Sequence, residues 1–319
     1  MRKRPLLTLT MNPAVDVSSA VSTLEPFEKL RCEDVWHHPG GGGINVSRVL
    51  HRLGSETIAI FPSGGAMGTL LRHLLAEEGV RQLPITIAGD TREDFSVREF
   101  QTGKQFRFIL PGPVLSQAEI RKCLDIVAGR LRPGSYLIAS GSLPPGAPVD
   151  FYAELARITT SAGARLVLDT SGPPLRAAVD RGGLFLIKPS QNELNELAGK
   201  SALNEQDRIK AARRIVASRR AEFVSVSLGA DGALLVGGGC ALRAKAPQVQ
   251  IKTTIGAGDS FLAALVWAFA HRATPSEALK IAVAAGTAAL LAPGTGLCSL
   301  TDMHALRSQV HVEHLEYAQ

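Results

Sequence analysis

Lys252-Thr253-Thr254-Ile255-Gly256-Ala257-Gly258-Asp259-Ser260, followed by an apolar run over 261–270, is the stretch on which the reading of the whole chain turns. Three residues with little or no side chain stand directly before a carboxylate, and the carboxylate opens a helix. An anion can reach the N–H groups of Gly256, Ala257 and Gly258. Those donors have no partners within the helix, and a helix N-terminus carries partial positive charge. The stretch therefore reads as a cradle for a phosphate. Asp259 beside it would stay ionised and could take a proton from a hydroxyl attacking that phosphate. The plainer reading is a glycine turn with Asp259 as helix N-cap.

The chain has 319 residues, 45% of them hydrophobic, and a mean hydropathy near zero. Strand-like and helix-like segments alternate to the end with no linker-like stretch. One α/β domain spanning 1–319, with an excursion, is expected. The formal charge is +6, a balance that suits nucleic acid, a membrane surface or small anions. The basic residues are scattered, however. Their densest group, Arg213-Arg214 and Arg219-Arg220, is interrupted by Ile215-Val216-Ala217-Ser218, as on the wet face of an amphipathic helix. Aromatic residues make up 5%, too few for a surface that stacks single-stranded bases. Neither nucleic acid nor membrane is expected as a partner. Cys32, Cys123, Cys240 and Cys298 lie far apart and read as free thiols in a reducing compartment, and the histidines show no metal spacing. Met1-Arg2-Lys3-Arg4-Pro5 is basic, but the apolar stretch after it is too short for a signal sequence. No run approaches the ~18 residues of a membrane span. The cytoplasm is the expected location.

Outward from the opening stretch, buried strands are expected over 6–10, 57–61, 136–139, 165–168, 184–187 and 223–227. Strand after strand carries Gly, Asp, Lys or Glu at its carboxyl end, the edge at which ligands bind in open α/β sheets. Asp16 lies near the first of these ends. It can accept hydrogen bonds from sugar hydroxyls or stabilise its own turn. Two runs, about 15–38 and 91–110, lack helix signals and read as a small β lid, with Thr102-Gly103 as a turn. An apolar outer face on such a lid wants a partner, which makes a homodimer the expected assembly. Pro39-Gly40-Gly41-Gly42-Gly43-Ile44-Asn45 is the second strong motif: a backbone that a ligand can approach closely, running straight into a helix. It is neither G-x-G-x-x-G nor a P-loop. Arg92 matches a phosphate, or is a solvated loop residue. The small residues of 284–289 read as tight helix packing.

Taken together, the two glycine motifs resemble those of the ribokinase-like sugar kinases, also called the PfkB family, in the right order and across nearly the whole chain. Leu7-Thr8-Leu9-Thr10-Met11-Asn12-Pro13-Ala14-Val15-Asp16 and Ser140-Gly141-Ser142-Leu143-Pro144-Pro145-Gly146 resemble the branch that acts on phosphorylated ketohexoses. Gly42, where two of its subgroups usually carry lysine, together with Glu28-Lys29-Leu30-Arg31-Cys32 and Gly294-Thr295-Gly296-Leu297-Cys298-Ser299, is most similar to the minor bacterial 6-phosphofructokinases.

The resemblance implies a three-layer α/β/α fold with a mostly parallel central sheet and a small β lid. It implies transfer of phosphate from ATP, with Mg2+, to fructose 6-phosphate. Alternatives are a sister kinase for tagatose 6-phosphate or fructose 1-phosphate, or a sugar-phosphate sensor without activity. Asp259 would be the general base, and Gly256, Ala257 and Gly258 the anion hole. Asp16, Gly41, Gly42, Asn45 and Ser142 would hold the sugar, and Lys29 and Arg92 its phosphate, Lys29 from the partner's lid. Lys188, Ser227 and Gly229 would border the nucleotide, and Glu193 would order the magnesium waters. Two departures stand out. Ser190 replaces the asparagine of the family's N-x-x-E motif. Thr253-Thr254 replaces an Asp-Thr pair, which weakens the inference of a monovalent-cation site.

Overall fold

The structure, a computed structural model, describes residues 6–292 and 296–315. Its strands are β1 (Leu6–Leu9), β2 (Ala14–Val21), β3 (Glu33–Gly40), β4 (Thr57–Ser63), β5 (Gln82–Thr86), β6 (Arg92–Glu99), β7 (Gln105–Ile109), β8 (Tyr136–Ser140), β9 (Arg165–Asp169), β10 (Leu184–Ile187), β11 (Ala221–Ser227), β12 (Ala233–Gly237), β13 (Cys240–Ala244) and β14 (Val312–His314). The helices are α1 (Gly42–Arg52), α2 (Gly65–Glu77), α3 (Gln117–Arg130), α4 (Phe151–Ser161), α5 (Gly172–Arg181), α6 (Gln191–Leu197), α7 (Glu205–Ala217), α8 (Ala257–Ala270), α9 (Pro275–Ala289) and α10 (Leu300–Arg307).

Ten strands form the main sheet in the order β14-β13-β12-β11-β10-β9-β8-β1-β4-β5. From β11 to β5 every pairing is parallel, and β12, β13 and β14 close the other edge antiparallel. A parallel sheet needs both faces covered, so its strands are apolar on both sides. On β8, Leu137 and Ala139 enter the core beneath α3–α7, while Tyr136 and Ile138 enter the core beneath α1, α8, α9 and α10. That makes three layers. α8 is buried along nearly its whole length, as its apolar composition requires. Gly286 of α9 explains the small residues around it: a Cβ there would lie 3.3 Å from the Ala257 carbonyl oxygen and from Phe261.

A separate four-stranded sheet, β3-β2-β6-β7, stands over the carboxyl edge. Its register sets Asp16 opposite both His38 and Asp94. Side chains alternate across it. Asp16, Asp94, Arg107 and Ile109 face the cleft, while the alternate positions Phe95, Phe106 and Phe108 are exposed on the other face.

Several elements had no counterpart in the sequence reading, among them β5, α10 and β14. β5 carries Pro84, which an edge strand tolerates. α10 and the three-residue β14 lie beyond the last segment to which the reading assigned an element. Gly294 and Thr295 of the last quoted motif fall outside the described residues. The basic group at 213–220 is only partly a helix face: α7 stops at Ala217, and Arg219 adopts φ 56° in the turn before β11.

Candidate active site

Both glycine motifs arrive at the same place. β3 ends at Gly40, and Gly41, at φ 107°, turns the chain into α1. A Cβ on Gly41 would sit 2.7 Å from Thr10 Cγ2, and one on Gly42 would sit 2.3 Å from Ser140 Oγ. The backbone can run this close to the ends of β1 and β8 only without side chains. At the other motif, Gly256 adopts φ 77° and is the N-cap of α8. The plainer reading of Asp259 as N-cap is therefore corrected. It lies inside the first turn, and its carboxylate is directed into the cavity, where Oδ2 accepts a 2.9 Å hydrogen bond from Asn45 Nδ2. Residues 214 positions apart in sequence thus touch.

The cavity they share is about 320 Å³. Asp16, Gly41, Gly42, Asn45, Arg92, Ser142, Glu193, Gly256 and Asp259 all line it. Lys188 stands just behind: its Nζ is 3.1 Å from Asp169 Oδ1, and a Cβ on Gly258 would be 3.7 Å from that Nζ. An ammonium beside the open amides of the α8 N-terminus adds to their pull on an anion. Ser227 and Gly229 sit at the same sheet edge beyond Lys188, Ser227 bridging to Ser190, but outside this cavity. Lys29 does not reach the cavity of its own chain. It is exposed in the loop between β2 and β3 and does not line the cavity.

Burial sets the charge states. It pushes the Asp259 carboxyl up to about 6, helped by the like charge of Asp169 and opposed by the Asn45 hydrogen bond, Lys188 and Arg107. Asp16 is pushed up to about 6 in the same way, with Asp94 adding to burial. For Lys188 burial works against the charge, but Asp169, Asp259 and Glu193 outweigh it and the net shift is upward. Arg92 is held in place before any ligand arrives. Its Nη1 donates to Asp94 Oδ1 and to the Leu110 carbonyl, each at 2.9 Å.

Ser190 gains a physical account. Its Oγ accepts from the Glu193 N–H at 3.3 Å, and Glu193 Oε2 accepts from the Ser190 N–H at 2.7 Å. This capping box starts α6 and fixes Glu193 at the cavity wall. Thr253 is buried, and its hydroxyl accepts from the Ile255 N–H inside the turn that leads to Gly256.

Sequence reasoning gave no role to Asp94, Arg107, Ser140, Asp169, Thr170 or Ser171, which also line the cavity. Arg107 had a signal: it is the polar position between Phe106 and Phe108 on a strand, so it must face opposite to them. Among the described residues no group of three or more His, Cys, Asp or Glu side chains gathers to hold a metal directly, and no helix is long and apolar enough to cross a membrane.

Open amides at a helix N-terminus, a carboxylate beside them and a second glycine turn under a β lid fit a phosphotransferase of the ribokinase-like type. The chain belongs to the pfkB family of carbohydrate kinases, whose profile matches residues 3–302. A Mycobacterium tuberculosis ATP-dependent 6-phosphofructokinase isozyme 2 is 42% identical over 301 residues, covering 94% of this chain and 88% of the relative. Phosphofructokinase-2 from Escherichia coli has been solved in complex with fructose-6-phosphate, and that structure is 37% identical with a TM-score of 0.91, covering 97% of this chain and 99% of the other. The same protein has also been solved with potassium and as a tetrameric inhibited form. A 1-phosphofructokinase from Xanthomonas campestris is 34% identical over 274 residues, 85% of this chain and 86% of its own length.

Proposed function

We propose that the protein transfers the terminal phosphoryl group of ATP to the free primary hydroxyl of fructose 6-phosphate, giving fructose 1,6-bisphosphate and ADP. The observation that carries this reading is the Asp259 carboxylate, held by Asn45 at the N-terminus of α8 and within the cavity lined by Gly41, Gly42 and Asp16. Asp16 and Asn45 hold sugar hydroxyls there, and Ser142 closes the wall beside them. Arg92, and Arg107 with it, meets the phosphate already on the sugar, because a guanidinium matches that oxyanion in shape and charge. Asp259 takes the proton from the attacking hydroxyl. The amides of Gly256, Ala257 and Gly258, with Lys188, receive the charge on the migrating group, so catalysis is chiefly positioning and charge stabilisation. Ser227 and Gly229 border the nucleotide.

Glu193 and the carboxylates around it are hard oxygen donors in a polar cavity, which suits Mg2+ held through water. When bound, that ion neutralises phosphate charge. The whole of 1–319 is read as one catalytic domain acting in the cytoplasm, paired as a homodimer through the lid. The second reading is a sister kinase for fructose 1-phosphate or tagatose 6-phosphate; the similarity to the 1-phosphofructokinase favours the first of the two.

ADP release measured across the three sugar phosphates decides the substrate: fructose 6-phosphate should give the highest kcat/KM, and a higher value for either rival would reassign it. Asp259→Asn should lower kcat by about 10²–10⁴-fold, the range for a lost acid–base group. Near-normal turnover in that variant removes Asp259 as the base.

A further inference from the structure

Behind Asn45 lies a charged group that the reaction as described does not use. Arg48, one turn further along α1, is 2% exposed. Its Nη1 donates to Asn45 Oδ1 at 3.1 Å and to the Pro39 carbonyl at 3.0 Å, and its Nε donates to Glu78 Oε2 at 2.8 Å. Glu78, at the end of α2, thus grips the guanidinium from the far side. Arg52 and His38 stand beside the pair. A guanidinium only donates. The amide oxygen of Asn45 must therefore turn toward Arg48, and its NH2 group is left to face Asp259. With the two ends of the amide fixed in this way, the Asp259 carboxylate always meets a donor.

We propose that Arg48, clamped by Glu78, is a positioning residue that orients the Asn45 amide and through it holds Asp259 aimed and ionised. Its contact with Pro39 ties the same device to the strand that leads from the lid into the glycine turn. The inference rests on reading Asp259 as the base. A hydrogen bond donated to a carboxylate favours its charged form, so a free-turning Asn45 amide should make Asp259 harder to ionise. The other groups facing Asp259 are Asp169 and Lys188 at the ends of β9 and β10, and Arg107 on β7. None of these touches Arg48 in its hydrogen-bond set, so they stay constant when Arg48 is changed.

The test is kcat against pH, at saturating fructose 6-phosphate and ATP, for the wild-type chain, Asp259→Asn, Arg48→Met and Arg48→Lys. Asp16 also feels the Arg48 charge; saturating sugar covers Asp16 and Arg48→Lys keeps that charge, so the acid limb of the lysine variant reports Asp259. Lysine keeps the charge, but one ammonium cannot reproduce the forked grip on Glu78, Pro39 and Asn45. We expect the acid limb of Arg48→Lys to move up by about half a pH unit or more, about a threefold loss of kcat below the limb, with KM for the sugar changed less. Arg48→Met should move it further in the same direction. If Arg48→Met does not fold, Arg48→Lys decides. An Arg48→Lys limb that coincides with the wild-type limb, while Asp259→Asn is inactive, overturns the positioning role and leaves the base in place. Turnover retained in Asp259→Asn overturns the base and the positioning role together.

Discussion

Asp259, read as the base, carries opposite demands of stability and chemistry. Its folded pKa, about 6, lies above the ordinary carboxylate value of 3.8. A group raised in this way favours the fold fully only below its unfolded pKa, and that contribution is lost as pH rises through the folded one. At neutral pH the ionised carboxylate therefore costs stability, and below about pH 4 it does not. Asp259→Asn should accordingly be more stable than wild type near pH 7.5, by about 1–2 kcal/mol after allowance for solvent reaching the cavity, and the gain should vanish near pH 4. Thermal melts at both pH values check this; a variant that melts lower at pH 7.5 contradicts the assigned direction. Arg92 makes the complementary case. It is aligned by Asp94 and Leu110, so the contact proposed for it with the sugar phosphate would be the same before and during reaction. Arg92→Ala should raise KM for the phosphosugar about tenfold or more and leave kcat within about threefold. At this scale much was legible. Gly41, Gly42, Asn45, Gly256 and Asp259 announce themselves because small residues before a helix have few structural uses in such density. Arg48 and Asp94 do not. One is an ordinary charged residue on a helix and the other on a strand, and only tertiary register turns both inward.

Among the elements, the start of α6 shows how local rules carry a cavity-lining residue. The Ser190–Glu193 capping box satisfies free N–H groups of the helix and at the same time presents Glu193 to the cavity. Ser190→Ala removes the side-chain acceptor and should cost about 1 kcal/mol. Ser190→Asn keeps a good cap and should be near neutral. Denaturant midpoints of the two variants separate them, and equal midpoints would mean that the cap adds nothing. The strands of the parallel region were readable because continuous apolar runs ending in Gly or a charged residue fit a sheet buried on both faces. β5 was hidden by Pro84, and β14 by being three residues long. Neither has enough local signal; each exists because a neighbouring strand offers an edge. The lid strands were found by the absence of helix periodicity, but their pairing, with β2 parallel to β6 rather than a simple meander, depends on a crossover through α1, β4, α2 and β5 that local pattern does not encode.

For the whole molecule, the lid poses the remaining structural question. Phe95, Phe106 and Phe108 lie on its outer face, 37%, 38% and 51% exposed, and an exposed apolar patch of this kind marks a surface for a partner. Lys29 sits in the exposed loop between β2 and β3, away from its own cavity. Both facts are accounted for if two lids pack together and each loop delivers its lysine to the partner's sugar phosphate. A mixing experiment tests this directly. Lys29→Ala subunits keep Asp259 but lack the lysine, whereas Asp259→Asn subunits keep the lysine but lack the base. In a hybrid dimer of the two, one site holds both groups intact. Co-refolded mixtures should regain activity with the wild-type KM for fructose 6-phosphate, at about a quarter of the wild-type rate for random two-fold assembly. Replacing Phe106 by Asp in both chains should abolish that recovery and give a monomer by light scattering. A mixture no more active than the sum of its parts, with dimers present, would place Lys29 outside the partner's site and leave the sugar phosphate to Arg92 and Arg107 of the same chain.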